Sequence, residues 1–245
     1  MSSFRLLFVL SAVYPLCAEP APAGNPEIRP FVRWLLEDGE RLEDVRFAEV
    51  AEAVSGCQVL PIDTSDPVDA AMVGEVAAAL DDLLEVMLDP DNAIHSVGRV
   101  NEISRHVEDF LLERLGQGEN FACSIPVNAS GNVRRSGYPD LRFEHEPSGR
   151  VFYIDPKVFR EGSERSSFRT FYFEPKGATN KIRDDASHII VGIAHRGKVE
   201  GRWRLEAWKL VDLIDFRVRL KAEFQSSNRE LYQESAVLRE GRQAR

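Results

Sequence analysis

The sequence predicts an α/β protein with an N-terminal helical extension. Three observations carry this expectation. Apolar residues recur at helical spacing from Phe31 to Leu111. From Phe121 the pattern changes to short runs of β-branched and aromatic residues divided by turns. One of these runs, residues 189–194, is almost wholly apolar, as a strand covered on both faces should be. The chain has 245 residues, 43% hydrophobic and 29% charged, so it can bury a sizeable core, and the composition argues against disorder or a disulfide scaffold.

Residues 1–23 have the layout of a secretory signal peptide. Arg5 precedes an apolar stretch from Leu6 to Leu16, and small residues and prolines follow, with Ala21-Pro-Ala23 a better cleavage match than Ala18. The expectation is a periplasmic or secreted protein. A misassigned start codon would make it cytoplasmic instead. Past this segment no apolar run is long enough to cross a bilayer, so the mature chain has no integral membrane segment. Cys57 and Cys123 then remain, and they suit a disulfide or two buried thiols equally well.

The net charge of −9 speaks against simple polyanion binding, but it is unevenly spread. Residues 24–98 hold 17 Asp and Glu against 4 Arg and no Lys, whereas residues 99–245 hold 22 acids against 26 Lys and Arg. The acidic region reads as three helices. Phe31, Trp34, Leu35 and Leu36 follow Pro30. Val45, Phe47, Val50, Ala51 and Val54 repeat until Gly56. A third helix spans 66–88, with Pro67 at its start. The region from 99 begins with a helix over 100–115, whose Ile103, Val107, Phe110 and Leu111 share a face that excludes Glu102, Glu108 and Glu113. Strands are expected over 121–127, 138–143, 151–155, 168–173, 189–194 and 201–210. A polar helix, 229–239, is capped by Ser227 and Asn228.

The chemistry concentrates in one inferred hairpin. Asp140 opens one strand, Asp155 closes the next, and a turn at Ser148-Gly149 joins them. Residues i and i+2 of a strand share a face, so Lys157 points the same way as Asp155. Two carboxylates and an ammonium thus converge. That set suits Mg²⁺, which takes one or two carboxylates and keeps water and substrate phosphate in its other positions. Phosphodiester hydrolysis follows in outline: the metal polarises the phosphoryl oxygen and acidifies a water that Lys157 attends.

Pro139-Asp140 followed by Asp155-Pro156-Lys157 resembles the PD-(D/E)xK nuclease superfamily. The stretches Ser166 to Phe173, Lys181 to Ile193 and Leu220 to Tyr232 are similar to segments of its type II restriction endonucleases. The resemblance covers about residues 99–235. It implies a mixed β-sheet flanked by helices, Mg²⁺ as one ion or two, double-stranded DNA as substrate, and a homodimer in many members. It assigns Asp140 and Asp155 to metal and Lys157 to catalysis, with a further glutamate from the preceding helix. Glu102 and Glu108 both qualify. Ser167, Arg169, Lys181 and Arg183 are the expected DNA contacts. Two features depart from the pattern. A signal peptide does not suit a restriction enzyme, and Pro156 fits only an edge or the end of a strand. Glu174-Pro-Lys176 repeats the acid-x-lysine one strand later as a rival, 34 positions from Asp140.

No HExxH, P-loop, GxGxxG or Gly-x-Ser-x-Gly occurs. The expected activity is Mg²⁺-dependent endodeoxyribonuclease. The alternatives are a DNA-binding module with a disabled nuclease site, or an exported non-specific nuclease or toxin.

Overall fold

A computed structural model describes residues 28–37, 42–167, 171–174, 176–221 and 223–241. The expected signal segment, 1–23, lies outside the described residues. The chain divides into two units, Leu42–Leu220 and Met1–Arg41 with Lys221–Arg245.

The end unit contributes helix α1 (Ile28–Glu37), none of whose residues is buried. It also contributes the single turn α5 (Asn228–Leu231). Ser227 caps α5 as expected, its hydroxyl accepting from the Arg229 amide at 3.2 Å. The helix stops well before 239, since Gln233, Glu234 and Ser235 offer no apolar face to prolong it.

In the larger unit β1 (Val45–Arg46) leads into α2 (Phe47–Ser55). Then come α3 (Pro67–Val86), a short 3-10 turn (Ala93–Ser96) and α4 (Val100–Leu115), followed by β2 (Phe121–Ser124), β3 (Leu141–His145), β4 (Arg150–Arg160), β5 (Ala186–Val199), β6 (Arg202–Asp212) and β7 (Arg217–Val218). Five strands form one sheet in the order β2-β3-β4-β5-β6, and β1 pairs separately with β7. Only β4 and β5 run parallel, so the sheet is mixed, flanked by helices as expected.

Local chemistry explains the helices. The Asp66 carboxylate caps α3 by accepting from the Val68 and Asp69 amides at 2.9 and 3.2 Å, and Pro67 occupies the first turn, where its missing N–H costs nothing. Met72, Val76, Ala79, Leu80 and Leu83 are its buried stripe. In α4 the stripe is Ile103, Val107, Leu111 and Leu115. Both stripes pack with Phe143, Phe152, Ile154, Ile189, Val191 and Ile193 of the sheet in one core. The shift from acidic to basic sequence near residue 98 therefore does not coincide with a break in packing. Gly56 ends α2 at φ 75°, a left-handed conformation open to glycine without strain.

The strand period sorts β4 onto two faces. Phe152 and Ile154 enter the first core, whereas Val151 and Tyr153 join a second one around Phe47, Tyr138, Ile182, Ala186 and Leu213. Phe47 is its centre. The rings of Tyr138, Phe171, Phe173 and His188 stand edge-on to it at 5.2 to 5.8 Å. The strand expected over 168–173 is not formed at 171–173, and residues 168–170 lie outside the described ones. Phe171 and Phe173 gave a β-like pattern because both turn toward Phe47, with exposed Tyr172 between them.

Cys57 and Cys123 are free thiols, and burial pushes Cys123 up to about 12. Among the described residues no helix is long and apolar enough to cross a membrane.

Candidate active site

The hairpin of β3 and β4 sets the site. Leu141 is the first residue of β3 and pairs with Ile154. Asp140 just before the strand therefore sits beside Asp155 just after that pair. Past Ile154, β4 has lost β3 as a neighbour and pairs only with β5. Pro156 lies within a strand of the sheet's interior, yet its stretch of that strand is an edge on one side. A proline fits there without breaking a two-sided ladder.

The Lys157 ammonium touches Asp155 Oδ2 and lies 3.9 Å from Asp140 Oδ2. Asp155 is 2% exposed, and the Lys157 ammonium is the cation that meets its Oδ2. A carboxylate buried without such a partner would be costly. Lys157 stands in register with Gly192, where an added Cβ would lie 3.2 Å from the Phe159 ring, so the bare backbone of β5 makes room on this face.

Burial, and then the adjacent Asp155 charge, raise Asp140 to about 8. Burial also raises Glu108, against the pull of Arg135 and Lys157. The glutamate pair on α4 is thereby separated. Glu108 is half-buried, and its charge acts on Asp140, whereas the Glu102 carboxylate accepts the Gly98 and Arg99 amides at 3.0 and 3.2 Å at the start of the helix. Among the described residues no three acidic, His or Cys side chains gather closely enough to hold an ion by themselves. Asp140 and Asp155 fit Mg²⁺ as a pair, because that ion accepts two carboxylates and fills its remaining positions with water and phosphate oxygens.

The remaining candidates separate in space. Glu174 and Lys176 form an exposed pair at 2.6 Å outside any strand, the kind of contact that contributes little. Ser167 and Arg183 are exposed, while Arg169 lies outside the described residues. Lys181 is 1% exposed, and burial lowers its pKa against the pull of the Asp140, Asp155 and Glu108 charges, so it cannot act as a surface contact to DNA phosphates. Two polar contacts lie beside the site with no motif to mark them. The Tyr138 hydroxyl meets His188 Nδ1 at 2.7 Å just before Asp140. Burial holds His188 down to about 3, so its imidazole is neutral. Asp184 receives Arg142 at 3.0 and 3.1 Å and the Tyr153 hydroxyl at 2.6 Å. Only Tyr138, two residues from Asp140, had a positional signal.

The raised Asp140 has a consequence for stability. Without metal the fold favours its protonated form, so this contribution is present at low pH and is lost as pH rises from about 4 through about 8. Asp140→Asn is neutral throughout. In EDTA its Tm should exceed the wild type by about 5 °C above pH 8, with the difference vanishing near pH 4. Parallel Tm profiles would remove this account of Asp140.

The MjaV type II restriction enzyme family model matches residues 41–235. The chain belongs to this family. A relative, the type II restriction enzyme MjaV of Methanocaldococcus jannaschii, is 32% identical over 227 residues, which cover 87% of this chain and 95% of the relative. Membership in the MjaV family makes this chain an endonuclease, a hydrolase. The family match spans α2 and α3 as well as the sheet, and it contains Glu108, Asp140, Asp155, Lys157 and Lys181.

Proposed function

We propose that this MjaV-family endonuclease hydrolyses phosphodiester bonds of double-stranded DNA with Mg²⁺ held by Asp140 and Asp155. One observation carries the reading: two carboxylates, Asp155 only 2% exposed, and the partly exposed Lys157 ammonium meet beside the start of β3. Bound Mg²⁺ would supply Lewis acidity toward the phosphoryl oxygen and toward a water. The protein's part is positional and electrostatic. Asp155, fixed within β4, would hold the ion, and Asp140, once deprotonated, would be its second carboxylate. The partly exposed Lys157 ammonium can hold the attacking water and offset charge growing on the phosphate. Glu108 adds negative charge from α4, and the exposed Ser167 and Arg183 are assigned to the DNA backbone on this reading.

Plasmid and phage DNA incubated with the purified protein test this. Discrete fragments formed with Mg²⁺ or Mn²⁺, and none in EDTA, are the expected result. A metal-dependent smear would point to a non-specific nuclease. DNA binding with no cleavage under any metal would overturn the reading in favour of a disabled nuclease fold.

A further inference from the structure

We infer that Lys209 holds a DNA phosphate beside the one being cut, and that Glu164 fills that phosphate's place while DNA is absent. The inference rests on the reading of Asp140, Asp155 and Lys157 as the cleavage site. It starts from the register of the sheet. Lys157 of β4 is level with Gly192 of β5, and Gly192 is level with Lys209 of β6. Residues level across a sheet point to the same face. Adjacent strands lie about 4.8 Å apart, so the Cα atoms of the two lysines stand about 10 Å apart. The residue between them has no side chain.

Packing agrees with this assignment of faces. Trp208 and Leu210 pack on the first core, so Lys209 between them turns to the other face, the one that carries Asp155 and Lys157. Further back on that face, Val151, Tyr153 and Ile190 lie in or against the second core. The row of Lys157, Gly192 and Lys209 is the next one out past Ile190. Here the face opens. Lys157 is partly exposed, and Ala207, Lys209 and Val211 of β6 are exposed. The Phe159 ring, 3.2 Å from where a Cβ on Gly192 would lie, floors the gap between the two lysines.

A tight turn after β4 reaches the same place. The Ser163 hydroxyl and amide both donate to the Arg160 carbonyl, at 2.6 and 2.9 Å, and the Ser166 amide donates to the Ser163 carbonyl at 2.8 Å. The Glu164 carboxylate on this turn lies 3.5 Å from the Lys209 ammonium, its one ionic partner among the described residues. A pair so exposed is held weakly. A backbone phosphate, whose binding also releases condensed counterions, displaces the carboxylate from Lys209.

Binding of the full chain to a fluorescent DNA duplex in EDTA, followed by anisotropy over a range of salt concentrations, tests the inference. Lys209→Gln should weaken binding about fivefold at about 0.15 M salt and lower the slope of log Kd against log salt by about one, the loss of one phosphate contact. Glu164→Gln should tighten binding about twofold, and the gain should vanish in the double variant. In Mg²⁺, Lys209→Gln should raise KM for DNA and leave kcat within about twofold of the wild type. An unchanged salt slope in Lys209→Gln, or a Glu164→Gln gain that persists without Lys209, would overturn the proposal. Asp155→Ala, assayed alongside, should bind DNA and not cleave it. Wild-type cleavage by that variant, with the Lys209 effect intact, would instead sink the cleavage-site reading.

Discussion

Asp155→Ala should lower metal-dependent DNA cleavage by about 10³-fold or more. The size of the effect follows from what the residue does. It is the more buried of the two carboxylates, it sits within an eleven-residue strand rather than a loop, and it contacts the only lysine of the cluster that reaches solvent. On the proposed reading its loss removes one of two metal-holding carboxylates, and it takes away the contact of the Lys157 ammonium. Lys157→Ala should cost activity as well but leave metal binding in place, because Lys157 is not a ligand. The two variants therefore separate holding the ion from using it. The far-ultraviolet circular dichroism and Tm of each, recorded beside the rate, exclude unfolding as the cause. Cleavage by folded Asp155→Ala within tenfold of the wild type would remove Asp155 from the site.

Phe47→Ala should destabilise the protein by about 3–5 kcal/mol and lower Tm by about 10 °C. Phe47 is fully buried, and Tyr138, Phe171, Phe173, His188 and Phe216 all surround its ring. Its amide also donates to the Phe216 carbonyl at 2.8 Å, tying α2 to the chain after β6. The cavity would open beside Tyr138, two residues from Asp140, so activity should fall at temperatures below the unfolding transition. Phe47→Leu, which refills part of the volume, should recover more than half of the stability. A Phe47→Ala Tm within about 2 °C of the wild type would show that this ring cluster is not the second core.

Much of the architecture was legible because the elements near the site carry strong local signals. The α4 stripe repeats every four residues, and its limits match the expected 100–115. Asp66-Pro67 marks the start of α3 through a cap and a proline. The hairpin around Gly149, at φ 68°, brings Asp140 beside Asp155 from the turn and the strand period alone. Other features depend on tertiary contacts. β4 continues to Arg160 through Pro156, because β5 pairs with it from Val151 to Arg160 while β3 stops at Ile154. Phe171 and Phe173 look like strand residues in sequence and serve as a cover for Phe47. Spacing could not choose between Glu102 and Glu108, since both lie off the apolar face of α4. The difference is that Glu102 is drawn to the amides at the helix start. Lys181 read as one more surface cation because nothing local shows that the fold buries it.

Anomalous scattering from Mn²⁺ in crystals of the full chain locates the ion. One peak is expected within coordination distance of both Asp140 and Asp155, lost in Asp155→Asn. A peak at Glu174, at Glu102 or anywhere away from the Asp140–Asp155 pair would contradict it.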